Sequence, residues 1–183
     1  QTYRIHRDGD RYGRAGRTDQ QLSEPVVVGV HAARGHNFSK PTAMFIELIA
    51  GHGVAGDAHA GTRVKHRSRV AADPDQPNLR QVHLIAAELL DEVNQAGFGV
   101  APGALGENVT TRGVDLINLP RGTLLHLGDD AVLEATGLRN PCSQIEKFRS
   151  GLLKTMIGRR EDGTPLLRTG LMTIVRRGGM VQA

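Results

Sequence analysis

The sequence predicts an α+β domain, mainly β, with barrel-like strand packing and a few short helices. Three observations predict it. Short apolar runs recur at close spacing between turns of Gly, Pro and Asp. Only one segment carries a clear helical period. Strands and helices do not alternate regularly, which argues against stacked β-α-β units and a parallel sheet.

Along the chain, QTYRIHRDGDRYGRAGRTDQQ is polar, rich in Gly and Arg, and has no hydrophobic period. Residues 1–23 are therefore read as a flexible N-terminal segment and 24–183 as one folded domain. PVVVGVHA, from Pro25, reads as a buried strand, and AMFIELIA (43–50) as a second. Residues 51–80 turn to Gly, His, Arg, Asp and Pro and read mostly as loop, followed by a short strand in RQVHLI. From Ala86 to Ala96, Ala86, Leu89, Leu90 and Val93 recur with helical spacing and Gly97 supplies a stop. GENVTT, VDLINL, GTLLHLG and AVLEATG read as short β pieces, the last two forming a hairpin through GDD. A short helix is expected over Leu152–Ile157, and LLRTGLMTIVRR as β near the C-terminus. No internal repeat is visible.

Composition narrows the function classes. The 183 residues carry 39% hydrophobic and 23% charged residues, enough for a core without disulfides. No apolar run approaches the ~20 residues that span a bilayer, and no signal-peptide pattern opens the chain. With a single cysteine, the expected compartment is a reducing cytoplasm, without membrane association. The pI is 9.7 and the formal net charge +4. Half of that charge sits in residues 1–20, where five arginines face three aspartates. Aromatic residues are 3% of the chain and Trp is absent, so the stacking platforms of a nucleic-acid surface are missing and no nucleic-acid partner is expected.

GHGVAG (51–56) matches the dinucleotide fingerprint GxGxxG, with Asp73 and Asp75 downstream. That site requires a helix to open at the glycines so that its amides hold a pyrophosphate. DAHAGTRVKHRSR follows instead, with no apolar stripe, and the nucleotide reading is set aside.

The sole cysteine, Cys142, lies in GLRNPCSQIEKF. Asn140 suits a helix N-cap and Pro141 the first helical position, which would put Cys142 at the second, beside unsatisfied amides and near Arg139. Such surroundings favour thiolate, the form that attacks electrophiles and binds metals. Packing as a small apolar residue is the competing reading. A cysteine hydrolase would need a histidine in a recognisable signature, and none is present; a redox pair would need a second cysteine. A single thiolate can still complete the sphere of a metal held by a sulfur-bearing cofactor. Two polar segments could assist. In GVAGDAHAGTRVKHRSR (53–69), extended backbone would turn Asp57 and His59 to one side, with Arg63, Lys65, Arg67 and Arg69 following as a basic stretch suited to an anion; His52, His59, His66 and His83 suggest a metal, but they lack HExxH spacing and companion cysteines. In GALGENVTTRG (103–113), glycines allow close approach beside Glu107, Asn108, Thr110 and Arg112.

Taken in order, GVAGDAHAG, RQVHLI, GALGENVTTRGVDLINLPRGTLLHLG and TGLRNPCSQIEKF resemble the MOSC domain, a family named for the C-terminal domain of molybdenum-cofactor sulfurases. The likeness runs from about Pro25 to the C-terminus and is to the short, stand-alone members. It implies a β-barrel-like fold with a cavity for molybdenum cofactor (Mo-molybdopterin). It makes Cys142 the molybdenum ligand and catalytic residue or, in sulfurase-type members, a sulfur carrier. Asp57, His59, Arg63, His66, Arg67, Glu107, Asn108, Thr110, Arg112, Arg139 and Asn140 would hold the pterin and its phosphate. Related members reduce N-hydroxylated compounds with electrons from a separate reductase. The chain shows neither an iron–sulfur cysteine set nor a convincing flavin site, so a small-molecule substrate and an external electron donor are the partners implied. A non-catalytic carrier of sulfur or cofactor is the alternative.

Overall fold

The structure is a computed structural model that describes residues 5–7, 24–65 and 67–183. Its elements in chain order are β1 (Ile5–Arg7), β2 (Val26–His31), β3 (Thr42–Ala43), β4 (Phe45–Ile49), β5 (Gly53–Val54), α1 (Arg67–Ala72), β6 (Val82–Ala86) and α2 (Ala87–Gln95). There follow β7 (Val109–Arg112), a single 3₁₀ turn (Leu116–Asn118), β8 (Leu124–Leu127), β9 (Ala131–Leu138), α3 (Ser143–Phe148) and α4 (Leu152–Thr155). The last are β10 (Ile157–Arg159), β11 (Pro165–Leu167), β12 (Leu171–Arg177) and β13 (Gly179–Gln182). Mainly β with short helices, this is the predicted fold class.

Eight strands form one sheet in the order β1-β8-β9-β12-β6-β7-β2-β3, and β13-β4-β5 form a second. Neither closes on itself, so the barrel-like character lies in the packing of two sheets rather than in a closed ring. Pairing in the large sheet is antiparallel except between β6 and β7, which run parallel with Leu84 opposite Val109. A parallel pair needs a crossover, and α2 lies within it. The helix ends as its sequence requires. Gly97 takes φ +89°, its N–H bonds the Asn94 carbonyl, and the Phe98 N–H reaches back to Val93.

The apolar core has two clusters. Val30, Leu48, Val82, Leu84, Leu125, Leu133 and Val181 fill the space between the sheets. Ile85, Leu90, Val93, Leu105, Ile145, Leu152 and Met156 pack beneath α2, α3 and α4. β6 is buried on both faces, as a central strand next to a parallel neighbour should be. Alternation along β6 puts His83 and Ile85 on the helix-covered face, and Met172 of β12 stands directly opposite His83.

Several boundaries differ from expectation. VDLINL contains the 3₁₀ turn rather than a strand, because the Asn118 amide donates to the Asp115 carboxylate at 2.8 Å and closes the chain locally. Within the region read as loop, Arg67–Ala72 is helical. GHGVAG forms the β4–β5 hairpin and its exit turn, with no helix opening at the glycines. Ile5–Arg7 lies inside the segment read as a tail and pairs with β8 at the sheet edge; the rest of 1–23 falls outside the described residues. No helix among the described residues is long and apolar enough to cross a membrane.

Gly170, just before β12, shows how tightly the sheet is built near His83. Its φ is +95°, and a Cβ there would lie 2.1 Å from the Leu84 carbonyl and 2.9 Å from His83 Nε2. Gly170→Ala is expected to destabilise the fold by about 3–5 kcal/mol in urea melts, backbone strain and clash combined. Gly163→Ala, at φ +81° in open space, should cost only about 1–2 kcal/mol, from strain alone.

Candidate functional site

A cavity of about 640 Å³ opens on the helix-covered face of the large sheet. That is within the ~300–1,000 Å³ typical of small-molecule sites. Lys40, Lys65, Arg80 and Arg139 line it with cationic groups, and no carboxylate does so among the described residues. Phe38, Val64, Pro141 and Met172 give it an apolar wall. His36, His59 and His83 also line it, with the His36 and His59 rings meeting edge to face at 5.3 Å.

Cys142 stands at the β9–α3 junction, part-buried against the second core cluster. Here the sequence reading needs correction. The helix does not open at Asn140; Ser143 is its first residue and Cys142 itself the N-cap, with extended φ −134° and ψ 163°. The reason is strand continuation. The Arg139 N–H bonds the Gly170 carbonyl at 2.9 Å, and the Thr169 hydroxyl bonds the Arg139 carbonyl at 2.5 Å. The chain stays extended through Cys142; Ile145, fully buried, then sets the helical phase, and its N–H bonds the Cys142 carbonyl at 3.0 Å. The thiol thus sits beside a six-residue helix rather than inside its first turn, and its one partner on the described protein is Gln144 Oε1 at a long 3.7 Å. The charge next to it is Arg139. Burial pulls that guanidinium below the ordinary arginine value, against the charges of Cys142 and Glu107. Arg139 Nη1 is buried with no hydrogen-bond partner, so the cavity wall contains a donor without an acceptor.

Behind the cationic lining lies a buried polar network centred on Asp57. Its Oδ2 accepts from Lys40 Nζ at 2.8 Å, from the Asn108 amide at 3.2 Å and from the Ala33 N–H at 3.2 Å. Its Oδ1 accepts from the His59 N–H at 2.9 Å, with His59 Nδ1 at 3.4 Å. Residues 57–59 therefore form a tight turn closed by the aspartate, not the extended backbone expected. Burial by itself would raise the Asp57 carboxyl, but the His59 hydrogen bonds and the Lys40 ammonium outweigh it and hold it well below the usual carboxylate range. Burial draws Lys40 down from the ordinary lysine value against the pull of Asp57. Asn108 extends the network. Its amide also donates to the His31 carbonyl, and its Oδ1 accepts the His83 N–H. Asn78 clips the rim by donating to the His59 and Gly61 carbonyls.

The structure thus brings Cys142, Arg139, Asn140, His59 and Asn108 to one cavity. Asp57, Glu107 and Thr110 lie behind its wall. Two of the named residues do not reach it. Arg63 is exposed and paired with Asp75 at 2.5 Å, and Arg112 is paired with Asp91 of α2 at 2.8 Å. In both, a nearby carboxylate holds the guanidinium on the surface. His66 lies outside the described residues, as does the side chain of Arg67. The sequence offers no site role for Lys40, Phe38 or Arg80, and it raises His83 only as one of four histidines weighed as metal ligands; HNFSKP carries no signal for Lys40. Among the described residues no group of three or more His, Cys, Asp and Glu side chains is placed to hold a metal ion alone.

A family model described as MOSC domain matches residues 56–183. Among solved structures, the chain is similar to the YUAD protein from Bacillus subtilis, at 25% identity and TM-score 0.69 over 85% of this chain and 90% of that one. It is also similar to YiiM from Escherichia coli, at 18% identity and TM-score 0.54 over 100% of this chain and 66% of that one. With YiiM from Geobacillus stearothermophilus the identity is 15% and the TM-score 0.58, over 86% and 71%. At these identities the YiiM likenesses show the fold alone. No curated protein matches the sequence.

Two outcomes follow from the buried charges. Asp57→Asn leaves Lys40 without its counter-charge and is expected to cost about 3–5 kcal/mol near neutral pH. Because the folded Asp57 carboxyl lies below its unfolded value, that stability is complete above pH ~4 and drains away as pH falls further. The gap between wild type and variant should therefore close in acid denaturation series. His31 runs the other way. Burial, then Lys40, lowers it from 6.5 to about 4, so the unfolded chain binds its proton first as pH falls. Stability should drop by about 3 kcal/mol between pH 6.5 and 4 through this group. NMR titration should find its ring neutral where exposed histidines are half protonated.

Proposed function

The chain belongs to the MOSC domain family, and on that premise we propose that its cavity holds a molybdenum cofactor and that the protein reduces N-hydroxylated compounds with electrons from a separate reductase. The observation that carries the reading is the pairing of one weakly engaged thiol with a cavity that is cationic and has an unclaimed donor. A lone thiolate is a soft ligand that cannot hold a bare ion. It suits a metal arriving with its own sulfur ligands, and the pterin dithiolene of this family's cofactor brings them. The cofactor's anionic phosphate matches the carboxylate-free lining.

When bound, the cofactor supplies two-electron removal of oxygen from nitrogen. The chain's own residues do the rest. Cys142 would anchor the metal, placed by the Arg139–Gly170 and Ile145–Cys142 backbone bonds on either side. Arg139 Nη1, Lys40, Lys65 and Arg80 would hold anionic groups, each strengthened by partial exclusion of water. Phe38, backed by Phe148 at a ring separation of 5.5 Å, and Met172 would shield the reacting face. His36 and His59 at the lining can pass protons to a substrate entering there.

The test is reconstitution. Loaded with molybdenum cofactor and supplied with a chemical reductant, the protein is expected to turn over an amidoxime or a hydroxylaminopurine. Cys142→Ser should lose bound molybdenum and turnover together, and Arg139→Ala should weaken cofactor retention by on the order of 10–100-fold, the worth of one charged hydrogen bond. Unchanged molybdenum content in Cys142→Ser would sink the ligand assignment. Firm cofactor binding without turnover on either substrate would point to the carrier role.

A further inference from the structure

His31 plays no part in lining the cavity, yet the fold makes deliberate room for its ring. A Cβ on Gly29 would lie 3.0 Å from His31 Nε2, and one on Gly103 would lie 2.8 Å from Nδ1. Two neighbouring chain segments thus omit a side chain where this imidazole sits. The ring is fully buried but both nitrogens are engaged. Nδ1 is 3.3 Å from the hydroxyl of Thr42, an exposed residue, and Nε2 is 3.1 Å from the hydroxyl of buried Thr110. The Thr110 hydroxyl in turn donates to Glu107 Oε1 at 3.2 Å.

Donor counting fixes the direction of this chain. Because Thr110 donates to Glu107, its oxygen accepts from Nε2–H, which leaves Nδ1 to accept from Thr42. Every bond then points inward, from the surface to a carboxyl group with no exposure. At the inner end, Glu107 Oε1 also accepts the Gly103 N–H at 2.6 Å, whereas Oε2 is buried with no partner. Gly106 and Asn108 on either side of Glu107 line the cavity, as do Lys40 and Arg139, whose charges act on it.

We propose that Thr42, His31, Thr110 and Glu107 form a proton inlet from the surface to the cavity wall. One proton enters as a hydronium ion at the surface protonates the Thr42 hydroxyl, leaving water, while that hydroxyl passes its own proton to Nδ1. Nε2 releases its proton to Thr110, and the Thr110 proton moves to Glu107. One net charge crosses, no covalent framework changes, and His31 is left as its Nδ1–H tautomer. The charged groups acting on the carboxyl are Lys40 and Arg139, and His31 lies one hydroxyl away, beyond Thr110. Burial raises the Glu107 carboxyl above the ordinary glutamate value, which favours its protonated form. The use of the proton rests on the function proposed above: cleaving an N–OH bond to N–H and water consumes two protons and the two electrons delivered by the reductase. The inlet itself needs no cofactor.

It can therefore be tested on the cofactor-free protein by infrared spectroscopy. A protonated-carboxyl band that Glu107→Gln removes is expected, shifting when the protein is moved into D₂O. Thr42→Val should slow that exchange by on the order of 10²-fold, and Thr42→Ser should restore it. Thr42 is exposed, so this pair does not depend on a core variant folding; Thr110→Val against Thr110→Ser repeats the test inside. In the loaded enzyme Thr42→Val should lower kcat and leave KM unchanged. Equal exchange rates in wild type, Thr42→Val and Thr110→Val would overturn the inlet, as would the absence of any band removed by Glu107→Gln. Slowed exchange in a protein that turns over no N-hydroxylated substrate would leave the inlet standing and remove the proposed reaction.

Discussion

The buried Asp57 carboxylate is the constraint on which the site depends. Its two oxygens gather the backbone after β2, the turn that carries His59, the Lys40 side chain and the Asn108 amide. Removing a carboxylate and an ammonium from water costs several kcal/mol each, and their attraction offsets much of that only because hydrogen bonds occupy the remaining lone pairs. The return is arrangement more than stability. Asn108 carries it further, tying the His31 carbonyl of β2 to the His83 N–H of β6. β2 and β6 are the strands on either side of β7, so one amide stitches three neighbours next to the parallel pairing.

This network explains how so many cations share one cavity. Lys40, Lys65, Arg80 and Arg139 line it, while the Asp57 carboxylate and the Glu107 carboxyl stand one layer behind. The Asp57 charge at the back stabilises Lys40 at the front without occupying the space in front of it. The lining is thus left to attract an anion from solution, and Arg139 Nη1 keeps a donor for it. Had the same carboxylates lined the cavity, they would have satisfied the cations and repelled a phosphate.

Much of this was legible in the sequence, for reasons that can be separated. The α2 period and its Gly97 stop, the β8–β9 hairpin and the buried β2 run are local signals, and local physics decides them. The exact start of α3 is not local. Arg139 stays extended just past β9 because Gly170, just before β12, supplies its partner, and that contact spans distant parts of the chain. Arg63 and Arg112 show the same limit in charge: a guanidinium reads as an anion site until folding reveals Asp75 or Asp91 beside it. Glu107, Asn108 and Thr110 stand out as a polar cluster in sequence, but only strand pairing decides which faces the cavity. Lys40 sits in a stretch without periodicity, and its buried ammonium finds its counter-charge in Asp57, distant in sequence.

Cys142 combines a fixed position with a weakly committed sulfur. A backbone bond to Gly170 and the Thr169 hydroxyl hold Arg139 before it, and the buried Ile145 holds the residues after. Its thiol meets only a distant amide oxygen. The residue packs one side against the second core cluster and stays only part-buried, so its sulfur is not enclosed as a purely packing cysteine would be. A ligand must be positioned by its supports before its partner arrives, since each ångström of search weakens the bond it makes. The strand–helix junction provides that placement, and the cationic wall beside it draws an anionic partner to the same point.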